Sequence, residues 1–160
     1  MKVESDHSPG MTARLRSYQT YRVMLPPTQG SVDDVALGGA IVRSVNETLN
    51  GKGYRQEATR PDFFLKWHVS ITSRKTPAMD APAFRDVRPM PSAGTSGTSV
   101  MAPRQEREGT LTLDVIDSGS NTVVWRGSAH AEISGAGEPQ AREARIQDAV
   151  RRILGRFPPP

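Results

Sequence analysis

Apolar and polar residues alternate most regularly between Phe63 and Thr72. Phe63, Leu65, Trp67, Val69 and Ile71 take one parity, and Phe64, Lys66, His68, Ser70 and Thr72 the other. Successive side chains of a strand point to opposite faces, so this pattern predicts a strand with one apolar and one mostly polar face. The same period recurs over Thr110–Asp117, where Leu111, Leu113 and Val115 agree. It recurs again over Asn121–Ile133, where Val123, Trp125, Gly127, Ala129 and Ala131 alternate with Val124, Arg126, Ser128, His130 and Glu132. Asp117-Ser-Gly-Ser-Asn121 between them has the residues of a hairpin turn. Lys2–Asp6 and Tyr18–Leu25 read as shorter strands joined by a turn, the second ended by Pro26-Pro27.

Two stretches carry the helical period instead. Leu37, Ile41, Val45 and Leu49 recur every four residues, with Ser31 or Asp33 as the cap, Asn50 near the end and Gly51-Lys-Gly53 as the stop. Gln140–Arg156 places Ile146, Val150, Ile153, Leu154 and Phe157 on one side, and a short proline tail, 158–160, follows. The segment 76–106 holds Pro77, Pro82, Pro89, Pro91 and Pro103 and is expected to be a long flexible loop. The predicted order is ββαβββα in a single domain spanning 1–160. One-sided strands and amphipathic helices are satisfied together by an α+β two-layer sandwich: one mixed, mainly antiparallel sheet with two helices packed on one face.

Composition changes this picture little. The apolar fraction is 36% and there are 13 prolines and 14 glycines, which fits ordered and flexible parts coexisting in one chain. No cysteine is present, which removes disulfides, zinc-thiolate sites and cysteine nucleophiles. The net charge of +4 arises from 21 basic and 17 acidic residues that are interspersed, not gathered into one patch. No apolar run approaches a membrane span, and Met1-Lys-Val-Glu-Ser-Asp6 lacks the apolar core of a secretory signal, so the chain as given is expected to be soluble.

The candidate chemistry sits on the polar parity of the strands. His68, Asp114, Arg126, His130 and Glu132 share a face if their strands are neighbours, and two imidazoles with two carboxylates are a donor set for zinc. Their spacing lacks the tight local pattern of a metal motif, and a cross-strand Asp114–Arg126 ion pair beside solvated histidines accounts for them more simply. The expectation is a possible partner-binding face, with no metal, no cofactor and no catalytic residue. Trp125 is expected to anchor the core, and Gly127 to let a helix approach the sheet closely. Arg142, Arg145, Arg152 and Arg156 share one flank of the last helix; lipid headgroups or nucleic acid would suit them, and so would plain solvation near a helix C-terminus. Leu37-Gly-Gly-Ala40 and Gly51-Lys-Gly53 lack the spacing of a phosphate loop, Asn46-Glu-Thr48 is a chance glycosylation sequon, and no serine sits in a nucleophile elbow.

Several strings in order carry a resemblance. Ser17-Tyr-Gln-Thr-Tyr21, Leu49-Asn-Gly-Lys-Gly-Tyr-Arg55, Pro61-Asp-Phe-Phe-Leu65, Gly109-Thr-Leu-Thr-Leu-Asp-Val-Ile-Asp117 and Val124-Trp-Arg-Gly-Ser128 resemble an envelope lipoprotein family of Gram-negative bacteria known as domain of unknown function four-one-three-six. The resemblance extends through Ile153-Leu-Gly-Arg-Phe157 and covers nearly the whole chain. It implies a periplasmic domain tethered to a membrane, the outer one by expectation, through an N-terminal lipid on a cysteine that this chain does not contain. It brings no catalytic residues. The functional expectation is a non-enzymatic envelope module that binds another envelope protein or component, with oligomeric state open. The alternative is a cytoplasmic nucleic-acid-binding domain using the basic helix flank.

Overall fold

The computed structural model describes residues 1–25, 32–75, 105–133 and 138–160. The elements run β1 (Lys2–His7), α1 (Thr12–Ser17), β2 (Thr20–Val23), α2 (Val32–Gly51), β3 (Arg55–Gln56), β4 (Phe63–Lys75), β5 (Gln105–Asp117), β6 (Val123–Ile133) and α3 (Pro139–Gly155). They form one mixed six-stranded sheet of order β1-β6-β5-β4-β2-β3. The meander β4-β5-β6 and the added β1 are antiparallel, whereas β2 lies parallel to both β4 and β3. The parallel pairing requires the crossover that α2 supplies. The expected α+β sandwich is the fold.

The apolar parity of every long strand faces the helices. Phe63, Leu65, Leu111, Leu113, Val115 and Trp125 pack against Ile41, Val45 and Leu49 of α2 and Val150, Ile153 and Leu154 of α3, all fully or almost fully buried. At one end of this layer Phe63 is the hub of an aromatic cluster: its ring lies 5.4 Å from Tyr18, 6.0 Å from Tyr21, 5.6 Å from Tyr54 and 5.5 Å from Phe157. Phe157 also meets Trp125 edge-on at 5.1 Å. Two connections hold the chain end there. The Lys52 ammonium donates to the carbonyls of Leu154 and Phe157 at the end of α3, and the Tyr54 hydroxyl donates to the Pro158 carbonyl at 2.7 Å.

Local departures from the sequence expectation have physical reasons. The turn expected after β1 contains α1, whose single buried apolar residue, Leu15, gives no stripe to detect. Tyr18 and Gln19 drop out of β2 because the Tyr18 ring turns into the core while the Gln19 amide is taken by the Asp62 carboxylate at 2.8 Å. β3 is two residues long, below the reach of any pattern. β4 and β5 both run further than expected, so 105–106 belong to β5 and not to the predicted loop; the rest of that loop, 76–104, lies outside the described residues, as does the Ser31 cap. Helix α2 already begins at Val32, which puts Asp33 inside the helix instead of at its cap. In β6 the expected alternation breaks between Val115 and Ile116 of the partner strand: Ile116 pairs with Val123 and Val115 with Trp125. Val124 is the extra residue of that bulge and is buried, while Val123 is left exposed.

Gly127 has the tightest surroundings of the glycines. A Cβ built there would lie 2.4 Å from Ile153 Cγ2 and 2.4 Å from Trp125 Cη2, so its absence lets α3 settle onto β6. Gly127→Ala is expected to cost about 1–3 kcal/mol through overpacking, or more if the indole cannot move. Urea unfolding checks this, and a melt unchanged from the parent would contradict it.

Candidate functional site

The face of the sheet opposite the helices carries all five predicted residues, ordered by register into rows that cross β4, β5, β6 and β1. One row reads Lys66, Asp114, Arg126, Asp6, alternating in charge. The next reads His68, Thr112, Ser128, Glu4, and the one after it Ser70, Thr110, His130, Lys2. Thr72, Glu108 and Glu132 follow. Strand parity delivers the shared face, since residues two apart lie on one side, and the register sets the rows.

Sharing a face is not convergence. Asp114 and Arg126 form the expected cross-strand pair, bidentate at 2.6 and 2.9 Å. His130 is occupied separately: Nδ1 sits 3.0 Å from the Thr110 hydroxyl, and Nε2 lies 4.0 Å from the Glu4 carboxylate. His68 is two strands and one row away from His130, about 12 Å by sheet geometry. Glu132 lies six residues along β6 from Arg126, about 20 Å, and faces the like-charged Glu108. Among the described residues no three of His, Cys, Asp and Glu are placed to hold a metal ion. On the basic flank of α3, Arg152 pairs with Asp148 at 2.8 Å and the Arg145 guanidinium donates to the Ala141 carbonyl. Part of that charge is used within the helix.

The most constrained polar group lies elsewhere, at the β5–β6 turn, and was not among the predicted residues. Asp117 is 1% exposed. Its carboxylate accepts two bonds from the Arg14 guanidinium at 3.0 Å each, one from the Tyr18 hydroxyl at 2.6 Å and one from the Ser120 amide at 2.7 Å. Burial alone would raise this carboxyl, but the hydrogen bonds from Tyr18 and Ser120 and the Arg14 charge outweigh it and hold it at about 2. Tyr18 is pushed up to about 12, first by burial and then by the same carboxylate. Beside it, Asp62 accepts from the amides of Gln19 and Thr20 and from the Thr20 hydroxyl. These bonds overcome the opposing effect of burial and keep the Asp62 carboxyl below its ordinary value. The Ser118 amide donates to the Asp62 carbonyl and joins the two groups. The strings that carry the family resemblance, Ser17–Tyr21, Pro61–Leu65 and Gly109–Asp117, therefore meet at one point. The sequence held a signal for it: Asp117 has the parity of Leu111, Leu113 and Val115, and a carboxylate on a core face needs partners.

The fold and these polar groups define a helix-backed α+β sheet domain locked at one end by the buried carboxylate of Asp117 and the half-buried one of Asp62. Residues 3–159 match the family described as Domain of unknown function (DUF4136), and the chain belongs to that family. A PDZ domain protein from Parabacteroides distasonis shares the fold at TM-score 0.62 and 12% identity, over 98% of this chain and 35% of that one; the chain spans about a third of that protein. The PelC dodecamer from Paraburkholderia phytofirmans matches at TM-score 0.53 and 13% identity, over 96% of this chain and 94% of that one. At these identities the likeness concerns the fold alone. No curated protein matches the chain.

Asp117 and Tyr18 set opposite pH limits. Asp117, depressed from 3.8, contributes stability above pH 4 that is lost as pH falls towards 2; Tyr18, raised from 10.0, contributes below pH 10 and loses it as pH rises towards 12. Asp117→Asn is expected to cost about 3 kcal/mol at neutral pH, because it leaves the Arg14 and Tyr18 donors without their charged acceptor. It should also flatten the acid limb of the stability profile. Chemical unfolding from pH 2 to 7 measures both, and an unchanged acid limb would rule out this carboxylate as its source.

Proposed function

We propose that the chain is a non-enzymatic binding domain of the bacterial envelope, held at a membrane in its native form by an N-terminal lipid, and that it engages another envelope component through the polar face of its sheet. The observation that carries this is the row Lys66, Asp114, Arg126, Asp6: alternating charge across four neighbouring strands, on the face opposite both long helices. Such a surface offers orientation and specificity to a polar partner more than raw affinity. The strongly perturbed groups Asp117, Tyr18 and Tyr54 are engaged by internal bonds, which suits a structural role better than proton transfer. Family membership supports the address, through the lipoprotein character that the family resemblance carries. No described helix is long and apolar enough to cross a membrane, which fits a lipid tether.

The test joins localisation to contact. The native gene product is fractionated in its host, and a photo-crosslinking side chain is placed at Thr112, in the middle of the polar face, or at Arg151, exposed on α3. The expected outcome is membrane recovery with a defined crosslink from position 112, lost when Arg126→Glu reverses the central charge, and none from 151. Recovery in the cytoplasm, or crosslinks indifferent to the reversal, would refute the proposal. Cytoplasmic recovery with salt-dependent nucleic-acid binding that weakens in Arg145→Ala would put the basic helix flank in its place.

A further inference from the structure

The sheet has a second surface of a different kind. Strand β2 accompanies β4 only as far as Leu65, whose carbonyl accepts from the Met24 amide at 2.8 Å. From Lys66 to Lys75, β4 pairs with β5 on one side and, among the described residues, with nothing on the other. A strand residue in an antiparallel ladder directs its amide and carbonyl to the same side, and the side alternates. Leu65 faces outward, so Trp67, Val69, Ile71 and Ser73 present their amides and carbonyls to that open side, while the even residues serve β5.

The same end of the molecule gathers exposed apolar surface. Met24 and Leu25, where β2 leaves β4, are 43% and 75% exposed, and Ile71 is 62% exposed. The ring of Trp67 lies against Gly38 of α2, which puts Val35, one turn earlier and 59% exposed, over the same margin. The other strands at or near the sheet's margins differ. β1 is short and almost wholly exposed and charged, and β3 has two residues, both common ways of blunting an edge. The open stretch of β4 is long, with apolar residues on its helix-side parity.

We propose that this edge takes an additional strand, contributed by an extended segment of a partner protein in which apolar residues alternate with acidic ones. Backbone pairing with Trp67, Val69, Ile71 and Ser73 supplies the register, and the apolar residues of the incoming strand fall beside Val69 and Ile71 on the helix side. The acidic preference comes from β4 itself: between Phe63 and Ser73 its polar parity carries the cation of Lys66 and no Asp or Glu. Asp114, the cross-strand neighbour of Lys66, already has both oxygens on Arg126. A second copy of β4 would bring no carboxylate to Lys66, so self-pairing lacks this charge match. The inference concerns the strand edge, and Lys66 is the residue it shares with the polar face above.

The test uses amide exchange in the whole chain, alone and with a synthetic peptide of about eight residues alternating Val and Glu. In the dilute free protein the amides of Trp67, Val69, Ile71 and Ser73 are expected to exchange fast and those of His68, Ser70 and Thr72 slowly. Adding the peptide should slow the odd set, and replacing its Glu by Lys should weaken binding by about tenfold or more. Ile71→Pro removes an outward amide and leaves the β5 ladder intact, so it should abolish binding with the circular dichroism and melting point kept. Lys66→Glu serves as the second variant and should reverse the preference between the two peptides. Protection of the odd amides in the free protein would overturn the proposal, since the chain or a second copy would already fill the edge. So would equal binding of both peptides, or binding untouched by Ile71→Pro.

Discussion

A carboxylate on the core side of a sheet must either be bonded on every side or be absent, and Asp117 is bonded on every side. Its partners come from α1, from the residue after α1 and from the turn that follows β5, and through the Ser118 amide and Asp62 they extend to the start of β4 and of β2. Three segments far apart in sequence, 14–20, Asp62 and 117–120, are thereby fixed to one another. Removing Arg14 or Tyr18 leaves the buried Asp117 carboxylate under-compensated, so such a group penalises alternative arrangements even where its net contribution to stability is modest. The placement of Phe63 follows directly: with Asp62 tied to β2 and the β5–β6 turn, the next side chain enters the core, where Tyr18, Tyr21, Tyr54 and Phe157 surround it.

This explains which parts of the fold the sequence disclosed. Period-2 alternation over Phe63–Thr72 and Thr110–Asp117 and the four-residue recurrence from Leu37 to Leu49 are averages over many positions, and they placed the sheet, the long helices and the two faces. Trp125 and Gly127 were legible because their parity and size admitted only one role. What escaped were features that rest on one or two residues: α1 with Leu15 alone, β3 with two residues, and the single inserted Val124. The bulge inverted the roles of Val123 and Val124, because one extra residue shifts parity for everything on its far side.

The candidate site divides in the same way. That His68, Asp114, Arg126, His130 and Glu132 share a face follows from parity and was foreseeable, as was the Asp114–Arg126 pair twelve residues apart across a hairpin. How far apart the others stand depends on rows and strand order, which parity does not encode. The Asp117 network was beyond reach for another reason: Arg14 and Asp117 are separated by 103 residues. A distance of that kind leaves no local period, and only the parity of Asp117 hinted that a partner had to exist.

The stabilising contacts are distributed unevenly along the sheet, and the unevenness bears on function. The Asp117 network, the aromatic cluster, the Lys52 cap and the Tyr54–Pro158 bond all lie at the end where β4 begins. Ile71 is exposed, and the buried Trp67 Nε1 has no hydrogen-bond partner among the described residues. The locked end sets the register of every strand, and that register keeps the open margin of β4 and the charged rows of the polar face in fixed positions for a partner to meet.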